Sequence, residues 1–301
     1  MNWMNRFIAT TLPAVPKPIV RFFSKKYIAG NTINDAVRTI NDLADQGCIS
    51  TVDVLGEFIK NLKEADKTVR EYLKILNRID KDGLNCNISI KLTQFGLTID
   101  KEKCYKNVLK IAKSVHEKNN FVRIDMEDSE CTTDTLDIFS RLAQKYPDNV
   151  GIVIQSYMRR SMKDITGLLA TIPKLNVRIC KGIYIEPRDI AFKDPAIINY
   201  NYMALLEKLF EGGAYVGIAT HDEKLVFHSQ ELIRKLDIPK DRYEFQMLLG
   251  VDEQLRRSII ANGHRLRVYV PYGQKWYAYS LRRLKENPQI AGYVLRGMLQ
   301  R

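Results

Sequence analysis

Residues 121–155, FVRIDMEDSECTTDTLDIFSRLAQKYPDNVGIVIQ, carry the pattern that decides the fold. Short β-rich runs at 121–126 and 150–155 flank a segment, 132–146, whose apolar residues recur at helical spacing. Parallel strands need a long crossover, and strand, helix, strand in this order is what a βαβ unit requires. The same alternation recurs on both sides. Candidate strands lie at 49–54, 86–91, 177–181, 215–219, 243–247 and 266–270, and helical patterns lie at 100–119 and 195–211. Together these make about eight strands, the number that closes a (βα)8 barrel. Before the first strand, residues 32–46 read as a further helix, capped at Asn31 or Thr32 and stopped by Gly47.

The expected fold class is therefore α/β, a TIM-type barrel spanning residues 47–301, preceded by an N-terminal helical extension over residues 1–46. The chain has 301 residues, 45% of them apolar and 27% charged, enough to bury a large core and too ordered in pattern for a disordered chain. No repeat, low-complexity tract or Gly/Ser linker marks a second domain. The net charge of +12 suits an anionic ligand or surface as well as a plain Lys-rich protein, and no Lys/Arg block with interleaved aromatics marks a nucleic-acid footprint. Five scattered cysteines without CxxC spacing argue against a disulfide framework or a zinc site and fit a reducing cytoplasm. The apolar N-terminus is broken by Arg6, Pro13, Pro16 and Pro18, so neither a spanning helix nor an export signal is read there.

Barrel enzymes carry their chemistry at the C-terminal ends of the strands. There the proposed strands set Lys91, Asp125 with Glu127 and Asp128, Gln155, Arg178 with Lys181, Thr220 with His221, Gln246 and Tyr269. Each alone reads equally as a solvated strand end, and His221 alone as a loop residue. Seven of about eight strands ending in polar groups all converge on one mouth, which points to an active site. In RICKGIY, residues 178–184, Gly182 lets backbone approach an anionic or planar ligand. No second His or Cys stands near His221 at metal-ligand spacing, and no GxGxxG or Walker sequence is present.

The run RVYVPYGQKWYAYSLRRLKENP, residues 267–288, is the most informative for function. After a turn at 271–273, residues 274–287 read as a helix stopped by Pro288. Arg282 and Arg283 on it form either a solvated face paired to Glu286 or a bidentate carboxylate clamp. Tyr269, Tyr272, Trp276 and Tyr279 beside them suit either ordinary core or the wall of an apolar ring-shaped substrate.

This run resembles the signature of proline dehydrogenases. SIKLTQFG at 89–96, RIDMED at 123–128, VIQSY at 153–157, RICKGIY, ATHD at 219–222 and YEFQMLLG at 243–250 are similar to family blocks in family order. The resemblance implies a distorted (βα)8 barrel with FAD across its mouth, oxidising L-proline to 1-pyrroline-5-carboxylate and passing electrons to a membrane quinone. It implies that Lys91, Arg282 and Arg283 hold the proline carboxylate, that Tyr269 packs on the ring, and that Asp125 sits beside Lys91. It also implies that Met126, Gln155, Arg178, Lys181, Gly182, Ile183, Thr220, His221 and Gln246 contact FAD. Ile183 and Ile185 depart from residues common in relatives. Relatives acting on hydroxyproline tend to carry a smaller residue where this chain has Tyr269, so proline is the expected substrate.

Asp125 is open to two roles, a base for the substrate amine or a partner that orients Lys91. Arg178 or Lys181 is expected to stabilise negative charge on the reduced flavin. Expected partners are L-proline, a quinone, a separate pyrroline-5-carboxylate dehydrogenase and a peripheral contact with the inner face of the cell membrane through the basic N-terminus. No nucleic acid and no metal are expected. A hydroxyproline enzyme, a proline or FAD sensor without turnover, and a nucleic-acid-binding protein are the rival readings, in that order.

Overall fold

A computed structural model of the chain describes residues 25–56, 58–277, 279 and 280. The first element among the described residues is helix α1 (Ile33–Ala44), and of the two candidate caps it is Thr32 that serves. Thr32 Oγ1 accepts from the Asp35 amide at 3.2 Å while Asp35 Oδ2 accepts from the Thr32 amide at 3.0 Å, a reciprocal capping box.

Eight parallel strands follow: β1 (Ile49–Val54), β2 (Cys86–Lys91), β3 (Val122–Asp125), β4 (Val150–Gln155), β5 (Asn176–Cys180), β6 (Tyr215–Ala219), β7 (Tyr243–Leu248) and β8 (Leu266–Tyr272). They pair in sequence order, and β1 pairs with β8 to close the barrel. The crossovers are helices α2 (Leu62–Lys81), α3 (Lys101–Glu117), α4 (Ser129–Lys145), α5 (Ser161–Thr171), α6 (Pro195–Glu211), α7 (Glu223–Lys235) and α8 (Glu253–Ala261), with a 3-10 turn, Leu92–Phe95, straight after β2. The α/β TIM-type barrel expected from the sequence is the fold observed.

Asn61, Asp100, Asp128, Asp194, Asp222 and Asp252 cap α2, α3, α4, α6, α7 and α8, each accepting from a first-turn amide. Short acceptors at these positions satisfy otherwise orphaned N–H groups and end the βα loops that ring the mouth.

Alternate strand residues have opposite fates. Ile88, Ile90, Val122, Ile124, Ile152, Ile154, Val177, Ile179, Val216, Ile218, Phe245, Val268 and Val270 join the apolar helix faces in one buried cluster. Each such side chain contributes about 1.5–3 kcal/mol by burial. Most of the residues between them, Gly151, Val153 and Gly217 excepted, are polar, and several bond to one another inside the barrel. In the lower layer Glu244 accepts from Arg267 at 2.6 and 3.1 Å, from Tyr215 at 2.9 Å and from Gln246 at 2.7 Å. Arg123 donates to the carbonyls of Ile152 at 3.0 Å and Asn176 at 2.8 Å.

Two sequence expectations need correction. Residues 271–273 were expected to turn, but β8 runs on through Tyr272, with Pro271 opposite Asp53 and Tyr272 opposite Val54. Proline's fixed φ is compatible with extended chain, and the Pro271 carbonyl accepts from the Ala29 amide at 2.9 Å, outside the ladder. Met126 and Lys181 lie just beyond β3 and β5 rather than at their last positions. The helix expected at 274–287, with Arg282 and Arg283, falls mostly outside the described residues.

Candidate active site

Four charged side chains meet at the C-terminal ends of β1, β2, β3 and β5. Lys91 Nζ donates to Asp53 Oδ2 at 3.0 Å and to Asp125 Oδ2 at 3.3 Å. Asp125 accepts further from Ser89 Oγ at 3.0 Å and from the Arg178 guanidinium through its other oxygen. Tyr269 on β8 joins them: its hydroxyl accepts from Lys91 at 3.0 Å and donates to Asp125 Oδ2 at 2.9 Å. The ammonium and the guanidinium lie 5.7 and 5.4 Å from the Tyr269 ring centre. Two cations thus face two carboxylates in a nearly dry cluster, where unpaired charge is costly.

The electrostatics follow from that arrangement. Burial pushes the Asp125 carboxyl up, but Arg178, Lys91 and the bonds from Tyr269 and Ser89 outweigh it and hold it below the ordinary carboxylate value. Burial opposes the Lys91 ammonium, yet Asp53, Tyr269 and Asp125 hold it charged, well above the usual lysine range. Burial and the charges of Asp125 and Asp53 push the Tyr269 phenol far up, so it stays a neutral donor.

A cavity of about 550 Å³ opens above this cluster. Its walls contain each described residue expected to hold FAD or proline: Lys91, Asp125, Met126, Gln155, Arg178, Lys181, Gly182, Ile183, Thr220, His221, Gln246 and Tyr269; Glu127, which accepts from Thr93, Asp128, which caps α4, and Tyr272 and Trp276 are not among its walls. Gln246 is held from below by Glu244 and turns its carbonyl oxygen to Arg178 at 3.5 Å. His221 Nε2 accepts from the Leu248 amide at 2.9 Å, which fixes the ring and places its proton on Nδ1. Lys181 pairs with Asp222 at 2.6 Å, and Asp222 also takes a bond from Asn199 at 3.2 Å.

The loop after β5 is shaped by Gly182, at φ +105°, where a Cβ would stand 2.1 Å from Tyr157 Cδ1. Any other residue is both strained and blocked there. Glu186 pins the same loop, accepting from the amide and hydroxyl of Ser129 at 2.7 and 2.6 Å where α4 begins.

The donor set fits a large planar heterocycle carrying amide groups. Gln155 gives its amide nitrogen to the Met126 carbonyl at 3.3 Å, while its Oε1 is buried without a partner among the described residues. Such an orphan acceptor in a cavity wall calls for a ligand donor. The cavity's polar groups together with Met126, Val153, Met247 and Leu248 offer both hydrogen bonds and apolar contact.

Sequence reading missed Asp53, Ser89 and Tyr72. No strand-end group was named for β1, yet Asp53 is 1% exposed and bonded to Lys91. The signal lay in the alternation, since Asp53 stands two residues from Thr51 on the lumen side while Val52 joins the outer cluster. Arg282 and Arg283 lie outside the described residues.

A closed parallel barrel whose strand ends gather a charged cluster under a ligand-sized cavity defines an enzyme of the (βα)8 class. The proline dehydrogenase family profile matches residues 36–296. Proline dehydrogenase 2 of Bacillus subtilis (strain 168) is 37% identical over 93% of this chain and 92% of its own. Proline dehydrogenase of Deinococcus radiodurans is 34% identical over 92% of this chain and 90% of its own. In fold, the chain is similar to proline utilization A (PutA) from Bdellovibrio bacteriovorus, crystallised after inactivation by N-propargylglycine, with a TM-score of 0.83 and 26% identity. That likeness covers 88% of this chain and 32% of the much longer PutA chain. The chain belongs to the proline dehydrogenase family.

Proposed function

We propose that the cavity holds FAD and L-proline together, and that the enzyme oxidises the ring to 1-pyrroline-5-carboxylate, the electrons passing on to a quinone. The observation that carries this reading is the ion cluster of Lys91, Asp125, Arg178 and Tyr269 directly beneath a cavity rimmed by the Gly182 loop, Thr220, His221 and Gln246. FAD, when bound, supplies the acceptor for the hydride that leaves the ring carbon beside nitrogen. Met126, Gln155, Arg178, Lys181, Gly182, Ile183, Thr220, His221 and Gln246 are the residues assigned to hold it, with the orphan Gln155 Oε1 as acceptor for a ring N–H.

Lys91 is assigned to the proline carboxylate, with Arg282 and Arg283 completing the clamp, and Tyr269 to the ring face. The clamp works by orientation, which is a large part of what a fixed site adds to a two-reactant step. Asp125 is assigned the orienting role rather than that of the base. A carboxylate that already accepts from Lys91, Arg178, Ser89 and Tyr269, with its pKa depressed, is a weak proton acceptor. The substrate amine then gives its proton to solvent before hydride departs. Arg178, charged and buried, is assigned to balance negative charge gained by the reduced cofactor. Tyr269, whose hydroxyl is engaged by Lys91 and Asp125, is assigned to the position a ring hydroxyl would need, which favours proline over hydroxyproline.

The division into an N-terminal extension, residues 1–46, and an FAD-binding barrel, residues 47–301, belongs to the same reading. So does peripheral contact with the inner membrane face, where a quinone resides; among the described residues no helix is long and apolar enough to cross a membrane. Removal of residues 1–27 is expected to weaken binding to anionic vesicles, and unchanged binding removes that part. The product is expected to pass to a separate pyrroline-5-carboxylate dehydrogenase.

The decisive experiment is the visible spectrum of the purified protein before and after anaerobic L-proline, with hydroxyproline in parallel. A flavin spectrum bleached by proline and little changed by hydroxyproline is expected. A colourless protein, unresponsive after reconstitution with FAD, overturns the cofactor and the reaction together.

A further inference from the structure

Lys91 has no donor to spare. An ammonium carries three N–H groups, and Lys91 Nζ gives them to Asp53 Oδ2 at 3.0 Å, Tyr269 OH at 3.0 Å and Asp125 Oδ2 at 3.3 Å. An anion arriving from the cavity must therefore displace one of these partners. The three are not equivalent. Asp125 and Tyr269 line the cavity, whereas Asp53 does not and is buried behind the ammonium.

Asp53 is itself held from outside the barrel. Its Oδ1 accepts from Tyr72 OH at 3.1 Å, and Tyr72 reaches in from α2, fully buried. The same hydroxyl lies 2.9 Å from the Ser89 carbonyl and accepts from the Val54 amide at 3.2 Å, so it is tied to β1 and β2 together. Asp125, by contrast, keeps Arg178 and Ser89 as partners when Lys91 leaves it. Losing Lys91 strands no charge on the cavity side. Losing Asp53 would leave the ammonium with partners only in the direction from which the ligand comes.

We infer that Asp53, fixed by Tyr72, is the positioning residue for Lys91, and that Lys91 exchanges Asp125 and Tyr269 for the substrate carboxylate while keeping Asp53. This rests on reading the cavity as the site of a cyclic amino acid. Asp53 touches no substrate atom in this account and acts through Lys91 alone. Its charge is also the strongest influence keeping the buried ammonium protonated against desolvation.

The test compares a cyclic carboxylate that cannot be oxidised as an amine, tetrahydrofuran-2-carboxylate, with its uncharged amide, by calorimetric titration of the flavin-loaded protein. Wild type is expected to prefer the acid. Asp53→Asn is expected to weaken the acid roughly tenfold, a loss in the range of one charge-assisted hydrogen bond, and to leave the amide unchanged. Tyr72→Phe should move in the same direction by less, and the double variant should be no worse than Asp53→Asn. Unchanged or tighter acid binding in Asp53→Asn, or an equal loss for acid and amide, overturns the inference. If Asp53→Asn does not fold, Tyr72→Phe decides on the same criterion. Wild type that binds acid and amide alike overturns the reading of the cavity itself, a different failure from the first.

Discussion

At the scale of single residues, Asp125, which accepts from Ser89, Lys91, Arg178 and Tyr269, makes the clearest test. Its carboxyl is buried and held below the ordinary value by Arg178 and Lys91 despite burial. A depressed folded pKa contributes stability that is present above the unfolded value near 4 and lost as pH falls through the folded one. Asp125→Asn leaves two buried cations short of a partner and is expected to cost about 3–5 kcal/mol near neutral pH. The gap in Tm between wild type and variant should narrow as pH falls below about 4 and close only once pH has passed the lower folded value, where the wild type has lost the same contribution. If Asp125 only orients, its loss lowers kcat on the order of a hundredfold without displacing the pH profile of the rate. A displaced profile makes it the base. Tyr269→Phe removes the donor that helps to hold Asp125, and should raise KM for proline about tenfold while flavin content, read from absorbance, is kept.

At the scale of elements, the strands were legible almost residue for residue because period-two alternation and turn residues coincide. Residues 49–54, 86–91, 150–155 and 215–219 were read with the bounds the structure has. What sequence could not supply was the path of the loops. Nothing in RICKGIYIEP announces that Glu186 turns back to the first residue of α4, or that Tyr157 packs where a Cβ on Gly182 would go. Those contacts join residues far apart in the chain, and local pattern carries no trace of them. They have a consequence for the β5–α6 connection. Gly182→Ala meets both the φ of +105° and the Tyr157 ring, so it is expected to cost roughly 1–3 kcal/mol and to displace the loop. Loss of bound flavin with a modest fall in Tm is the expected pair of readouts; full flavin content would show that the loop does not contribute to the cofactor site.

At the scale of the whole molecule, the barrel is inverted in chemistry relative to the usual branched-aliphatic filling. Apolar residues face the helices, and the lumen is a column of charge: Glu244, Arg267 and Arg123 below, Gln246 in the middle, and Arg178, Asp125 and Lys91 above. The sequence displayed this as R-I-D, V-R-I-C, E-F-Q and R-V-Y, but only the strand-end members were read as functional. The lower ones needed the register, which fixes that Arg267 of β8 lies opposite Gln246 of β7 and brings it to Glu244. Such a column is stable only while its charges match. Burial pushes the Glu244 carboxyl up, but Arg267, with Tyr215 and Arg123, brings it below its ordinary value. Glu244→Ala strands Arg267 in the lumen and is expected to cost about 3–5 kcal/mol, lowering Tm on the order of 10 °C. Because Gln246 loses the partner that orients its amide, the loss should also reach the mouth and raise KM for proline. Glu244→Gln keeps one acceptor oxygen, which can still take the bond from Gln246, but not the charge, so it should share most of the loss in Tm while restoring KM. Equal Tm values for the wild type and Glu244→Ala, measured by calorimetry, would mean that water enters the lumen and screens Arg267, and that the column is not a unit.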